Sequence, residues 1–231
     1  MELRICKNSE ELGKSAAKHV AQVLRDVIAE KGYARLCLST GASQFDTIKH
    51  LVKQDVDWSK VEMFHLDEYV ALPETHPASF RKYLKERFVD KVGNLKKAHF
   101  VDGTEEGIKK LTEEIRELPI DIGLIGIGEN AHIAFNDPPV ADFNDPKLVK
   151  VVQLDLVCRQ QQVNDGCFAS IDLVPTHAIT LTCPTLMKAP YAFCIVPAPT
   201  KANAVKRTLD GEISTECPAT TLRNHPNAIL Y

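Results

Sequence analysis

The chain has 231 residues, with 28 Lys and Arg against 31 Asp and Glu and a formal net charge of -3. That length buries a sizeable core in one domain, residues 1–231, without staples, and the balanced charge excludes a nucleic-acid binder, which needs a concentrated basic face. The seven cysteines sit in apolar stretches such as RLCLST and YAFCIV, with no CxxC pair and no zinc-type Cys/His spacing, so they read as buried thiols of a reducing, cytoplasmic protein without a structural metal.

The N-terminal MELRICKNSEELGK carries charge where a signal peptide needs an apolar core. No apolar run approaches the roughly 20 residues that span a bilayer, so no membrane is expected as a partner. After a short edge-like run at Glu2 to Cys6, Asn8 or Ser9 caps a helix whose apolar face is Ala16, Val20, Val23, Leu24 and Ile28. Gly32 ends it. RLCLST is then a strand, GASQ a glycine turn and FDTIKHLVKQ a helix; VEMFHL is a strand, followed by the helices ASFRKYLKERFVDKV and TEEGIKKLTEEIREL. IDIGLIGIG lacks polar alternation, the mark of a strand covered on both faces. VKVVQLD, HAITLTC and YAFCIVP are further strands, and KANAVKRTLDG is a helix stopped by Gly211. Strands alternating with helices give the α/β class, a doubly wound, Rossmann-like and mostly parallel sheet with helices on both faces.

In such sheets ligands bind beyond the carboxyl ends of the strands, and three clusters lie there. STGASQ, Ser39 to Gln44, is a glycine turn opening a helix, with free N–H groups and hydroxyls suited to a phosphate; an ordinary capped turn is the competing reading. It is not a Walker motif, because no GK[ST] follows. In HLDEYVALPETHPASF, Asp67 sits in an apolar frame that raises the pKa of a carboxylate toward that of a working base. Glu68 beside it reads, on its own, as a solvated turn carboxylate. His65 and His76 read as packed or solvated, and Phe135 as packing.

The third cluster is LIGIGENAHIAFNDPP. Gly126, Gly128 and Ala131 match the permissive dinucleotide fingerprint, but Pro138 and Pro139 interrupt the helix such a site requires, which excludes nicotinamide and flavin. What is left is His132 with Asp137 close by, a candidate His–carboxylate pair.

Together STGAS, FHLDEYVALPETHPASF, IGIGENAHIAFNDPP and PAPTKANAVKRTLDG resemble, in order and spacing, the glucosamine-6-phosphate deaminase/isomerase family, from near the N-terminus to about Leu222. The related 6-phosphogluconolactonases carry TASLFP after the histidine, where this chain has IAFNDP. The resemblance implies a cytoplasmic enzyme of amino-sugar and N-acetylglucosamine catabolism, free of metal and cofactor. It converts glucosamine 6-phosphate and water to fructose 6-phosphate and ammonia. On the same resemblance His132 handles the ring-oxygen proton, Asp67 moves a proton from C2 to C1, and Asp137 and Asn130 hold the histidine. Ser39, Thr40, Gly41, Ala42, Ser43, Glu68, Gly128 and Lys201 form the substrate- and phosphate-binding set.

The chain departs from that pattern in four places. Asn130 and Ala131 stand where the family typically has Asp or Asn and then Gly. Asp137 replaces a glutamate, one methylene longer, so its reach to His132 is expected to need a loop shift. Arg159, in CRQQQVNDGCF, is not assigned to the family's phosphate arginine. The chain stops soon after AILY without the extension tied to allosteric control, so no hexosamine-phosphate activation is expected. A lactonase and a sugar-phosphate binder with little turnover are the alternatives, and the amino sugar and homo-oligomeric state stay open.

Overall fold

The computed structural model describes all residues, 1–231. Its strands in chain order are β1 (Glu2–Leu3), β2 (Ala34–Leu38), β3 (Val61–His65), β4 (Asp67–Tyr69), β5 (Lys97–His99), β6 (Ile122–Ile125), β7 (Val149–Gln153), β8 (His177–Leu181), β9 (Tyr191–Cys194) and β10 (Ala228–Leu230). The helices are α1 (Ser9–Lys31), α2 (Phe45–Leu51), α3 (Phe80–Leu84), α4 (Asp90–Val92), α5 (Glu105–Glu117), α6 (Leu156–Asn164), α7 (Cys183–Met187) and α8 (Ala202–Asp210). A π turn at Lys85–Val89 joins α3 to α4, so the single helix predicted there is interrupted by one wide turn.

Local chemistry sets these bounds. The Asn8 side chain accepts the Glu11 N–H at 2.8 Å and Gly32, at φ 82°, closes α1. Gly13 lets α1 lie directly on α2: a Cβ there would come within 2.5 Å of the Asp46 carbonyl carbon.

Seven strands form one sheet in the order β1-β10-β9-β6-β2-β3-β5, and every pairing in it is parallel. Side chains alternate between its faces, so Leu36 and Leu38 enter one apolar cluster, with α1 and α2, while Cys37 enters the other. This is the doubly wound α/β sheet read from the sequence. The chain runs outward from β2 to β3 and β5, returns to β6 on the other side of β2, and continues outward, so the switch in strand order falls between β2 and β6.

VKVVQLD and HAITLTC are strands as expected, but not of that sheet. As β7 and β8 they pair antiparallel with each other, and β4 joins β8, giving a second, three-stranded sheet β4-β8-β7. In β7, Val149 and Val152 are buried while Val151 and Gln153 are exposed, so this strand lacks the continuous burial of the strands in the large sheet. Leu66 is the corner between sheets: its N–H donates to Leu38 O at 3.1 Å, and its carbonyl accepts from Leu181 N at 2.9 Å.

Candidate active site

Because the large sheet is parallel, the carboxyl ends of β2, β3, β6 and β9 share one edge. Their loops carry Ser39 to Ser43, Asp67 and Glu68, Gly126 to Asp137, and Lys201 respectively. All three sequence clusters and the predicted lysine therefore meet at one place.

The histidine loop is the most constrained part. Gly128 packs face-on against the His132 ring: a Cβ there would lie 2.1 to 2.4 Å from ring atoms, so only glycine fits. Ala131 at φ 69° and Ala134 at φ 48° lie in the left-handed region, where a non-glycine residue carries strain. That curvature folds residues 130–137 back on themselves, and the Asp137 Oδ1 stands 2.9 Å from His132 Nδ1. The shorter aspartate thus reaches the ring. Asn130 completes the arrangement: its Oδ1 faces His132 Nδ1 at 2.7 Å and accepts the His132 N–H, while its Nδ2 donates to Asp137 Oδ1 at 2.9 Å.

Both oxygens facing Nδ1 accept hydrogen bonds, so Nδ1 carries the proton and Nε2, which bonds no protein group, keeps its lone pair. Burial alone would push the Asp137 carboxyl up, but electrostatic attraction to the His132 ring and the hydrogen bonds it accepts prevail and hold it below the usual range. Asp137 stays ionised beside the imidazole.

Asp67 lies at the start of β4, just past the corner at Leu66. It is buried and its carboxylate accepts no hydrogen bond from the protein. Burial, reinforced by Glu68 and Asp137, pushes its pKa well above the ordinary carboxylate value. The second sheet joins this residue to the histidine loop: Asp67 opposes Thr180 in the β4–β8 register, and the Thr180 hydroxyl accepts the Phe135 N–H at 3.1 Å.

Glu68 corrects two expectations. It is fully buried, not solvated, and its oxygens are taken by Ser79 Oγ at 3.0 Å, the Arg81 N–H at 2.9 Å, Arg81 Nε at 3.2 Å and the backbone N–H groups of Tyr69 and Phe80. It anchors the first turn of α3 and has no oxygen left for a substrate.

In the glycine turn, Gly41 takes φ 91° and ψ 172°, a conformation that only glycine adopts readily, and its carbonyl accepts the Tyr83 hydroxyl at 3.0 Å. Thr40 and Ser43 are half-buried, Gly41 and Ala42 exposed. Ser39 is buried with its hydroxyl unpartnered. Gln44, not predicted, is fully buried and its Nε2 donates to Ile195 O at 3.4 Å, tying this turn to the segment that leads from β9 to Lys201. Lys201 is largely buried at the start of α8, and burial lowers its pKa. Arg159 turns away, its guanidinium donating to the carbonyls of Ile171 at 2.7 Å and Val174 at 3.0 Å. His65 is buried and accepts the Val101 N–H, and His76 stacks on Phe168. Phe135 packs between Tyr69 and Phe80.

The model of the glucosamine-6-phosphate isomerases/6-phosphogluconolactonase family matches residues 7–230. The chain belongs to that family. Curated relatives include a glucosamine-6-phosphate deaminase of Bacillus cereus (strain B4264), 34% identical over all of this chain and 86% of its own length. The glucosamine-6-phosphate deaminase of Bacillus cytotoxicus is 32% identical over the same shares. Among solved structures, a monomeric glucosamine-6-phosphate deaminase superposes with a TM-score of 0.88 at 28% identity, over 100% of this chain and 96% of that one. A 6-phosphogluconolactonase from Thermotoga maritima shares the fold at a TM-score of 0.78 and 19% identity, over 99% of this chain and 97% of that one. No helix is long and apolar enough to cross a membrane.

Proposed function

We propose that the protein is an amino-sugar-phosphate deaminase acting on glucosamine 6-phosphate, with residues 1–231 as one catalytic domain. The observation that carries this reading is the pairing of two proton-transfer groups: a histidine with Nε2 free and Nδ1 fixed by Asp137 and Asn130, and a buried carboxylate, Asp67, with a raised pKa. The curated glucosamine-6-phosphate deaminases that match the whole of this chain support the same reading.

His132 exchanges a proton with the pyranose ring oxygen, opening the ring to the aldehyde form. Asp67 then takes the proton from C2 and returns it to C1, a step for which burial makes it both a stronger base and a ready acid. The resulting C2 imine adds water and breaks down to the ketone of fructose 6-phosphate and ammonia, so the net change is hydrolytic. Thr40 to Ser43 and Lys201 receive the phosphate, whose binding energy positions C1 and C2. Asp137 orients His132 through Nδ1. The unpaired state of all seven cysteines supports a cytoplasmic enzyme, and the chemistry suits the breakdown of N-acetylglucosamine-derived sugars.

The test gives the purified protein glucosamine 6-phosphate, galactosamine 6-phosphate and 6-phosphogluconolactone in parallel, following ammonia from the first two and acid from the third. Ammonia from glucosamine 6-phosphate, lost in His132→Ala, is expected. Acid from the lactone without ammonia from either amino sugar would replace this reading with the lactonase one.

A further inference from the structure

Cys158 has no part in the reaction just described, yet it lies against the histidine pair. It sits on α6, buried, and its thiol faces the Asp137 carboxylate. One donor atom from each of His132, Asp137 and Cys158 falls within 4.8 Å of the other two. Two further observations make this more than proximity. The Asp137 carboxylate is fully buried, and while Oδ1 is engaged by His132 and Asn130, Oδ2 meets no nitrogen or oxygen donor, which leaves the Cys158 thiol as the remaining group on the carboxylate. The α6 helix that carries Cys158 is pinned to the histidine loop, since the Glu129 N–H donates to Gln161 Oε1 at 3.0 Å.

An imidazole nitrogen, a carboxylate oxygen and a thiol sulfur are the donor set of a borderline-soft divalent cation, and three protein ligands with a fourth position open is the usual form of a reactive zinc site. We propose that His132, Asp137 and Cys158 form an inhibitory site for a zinc-class divalent cation. The ion takes His132 Nδ1, the nitrogen on the Asp137 side, together with a carboxylate oxygen and the sulfur. The thiol proton passes to solvent and the imidazole proton moves from Nδ1 to Nε2. His132 then has no free lone pair to offer the substrate, and Asp137 is no longer available to orient it. The metal is neither cofactor nor structural staple: it switches off a reaction whose own groups need no metal. Cys158 supplies the affinity without entering the chemistry. The inhibition rests on the deaminase reading; the binding does not.

The test uses the full chain. Zinc is titrated into the purified protein while bound metal and ammonia release from glucosamine 6-phosphate are measured, and cobalt is titrated in parallel while the near-ultraviolet sulfur-to-cobalt charge-transfer band is read. Stoichiometric zinc binding, loss of ammonia release that EDTA reverses, and a cobalt–thiolate band are expected. Cys158→Ser should retain metal-free turnover, lose the band, and need more zinc for the same inhibition by a factor on the order of tenfold or more, since even outer-shell losses at metal sites cost that much. Cys158→Ala carries the same expectation if the serine disturbs the packing. A band or a zinc sensitivity that survives both substitutions would place the metal on other cysteines and overturn the proposal, as would the absence of stoichiometric binding. A wild-type protein without deaminase activity but with the Cys158-dependent band would keep the site and refute the catalytic reading instead.

Discussion

At the amino end of the large sheet, Arg35, Glu62, His99 and Asp121 form a charged cluster in which each finds partners. Arg35 Nε meets Glu62 at 3.3 Å, its guanidinium donates to Glu114 O at 3.1 Å, its N–H meets Asp121 at 2.8 Å, and both ring nitrogens of His99 face carboxylates, Glu114 at 2.6 Å and Glu62 at 3.1 Å. At the carboxyl end the rule reverses. Asp67 accepts no hydrogen bond, Asp137 Oδ2, Ser39 Oγ and Gln44 Oε1 are buried without partners, and Ala131, Ala134 and Ala198 hold positive φ. One end satisfies its polar groups and strengthens the fold; the other leaves them unsatisfied and strained, the pattern of a site built for a ligand.

Mutations should separate the two ends cleanly. The largest expected effect is on turnover at the carboxyl end: Asp137→Asn removes the charge beside His132 and should lower kcat about 100-fold or more, with little loss of thermal stability, read by steady-state ammonia release and a melting curve. At the amino end, Arg35→Ala should cost about 3 kcal/mol of stability by leaving buried partners unpaired, while kcat per folded molecule stays unchanged; chemical denaturation and active-site titration check both. A loss of kcat there would break the comparison.

A smaller effect concerns His65, whose pKa burial pushes down to about 3 from the ordinary value of 6.5. Below the ordinary value the unfolded chain takes up a proton that the folded chain refuses. Stability is therefore full above about pH 6.5 and is lost as pH falls toward 3. His65→Gln, which can still accept the Val101 N–H, should flatten the acid limb of a plot of Tm against pH; an unchanged limb would assign acid sensitivity to other groups. The smallest effect is at Ala131, where φ 69° favours glycine. Ala131→Gly should shift stability by less than about 1 kcal/mol, the relief of strain offsetting the added freedom of the unfolded chain, a difference that only precise denaturation curves resolve.

Sequence periodicity marked α1 within a residue at each end because Asn8 and Gly32 act locally. The strand HAITLTC was equally visible, but its partners were not, since pairing with β4 and β7 depends on residues more than a hundred positions away in the first case. Asp67 and Glu68 show the limit most sharply. They share one apolar frame in the sequence, and only the turn at Ser79 to Arg81, brought back by folding, distinguishes the anchor from the candidate base. The convergence of Cys158 on Asp137 had no local signal for the same reason. The His132–Asp137 pair was legible because a tight loop holds both.

The central claim is that Asp67, unsatisfied by the protein, moves the substrate proton. Ammonia release and sugar-phosphate binding measured side by side on wild type and Asp67→Asn test it directly. The account predicts a loss of turnover of about 1,000-fold, affinity retained, and a higher Tm at neutral pH, because the buried charge is removed. Turnover at the wild-type rate in Asp67→Asn would contradict it and remove Asp67 from the chemistry.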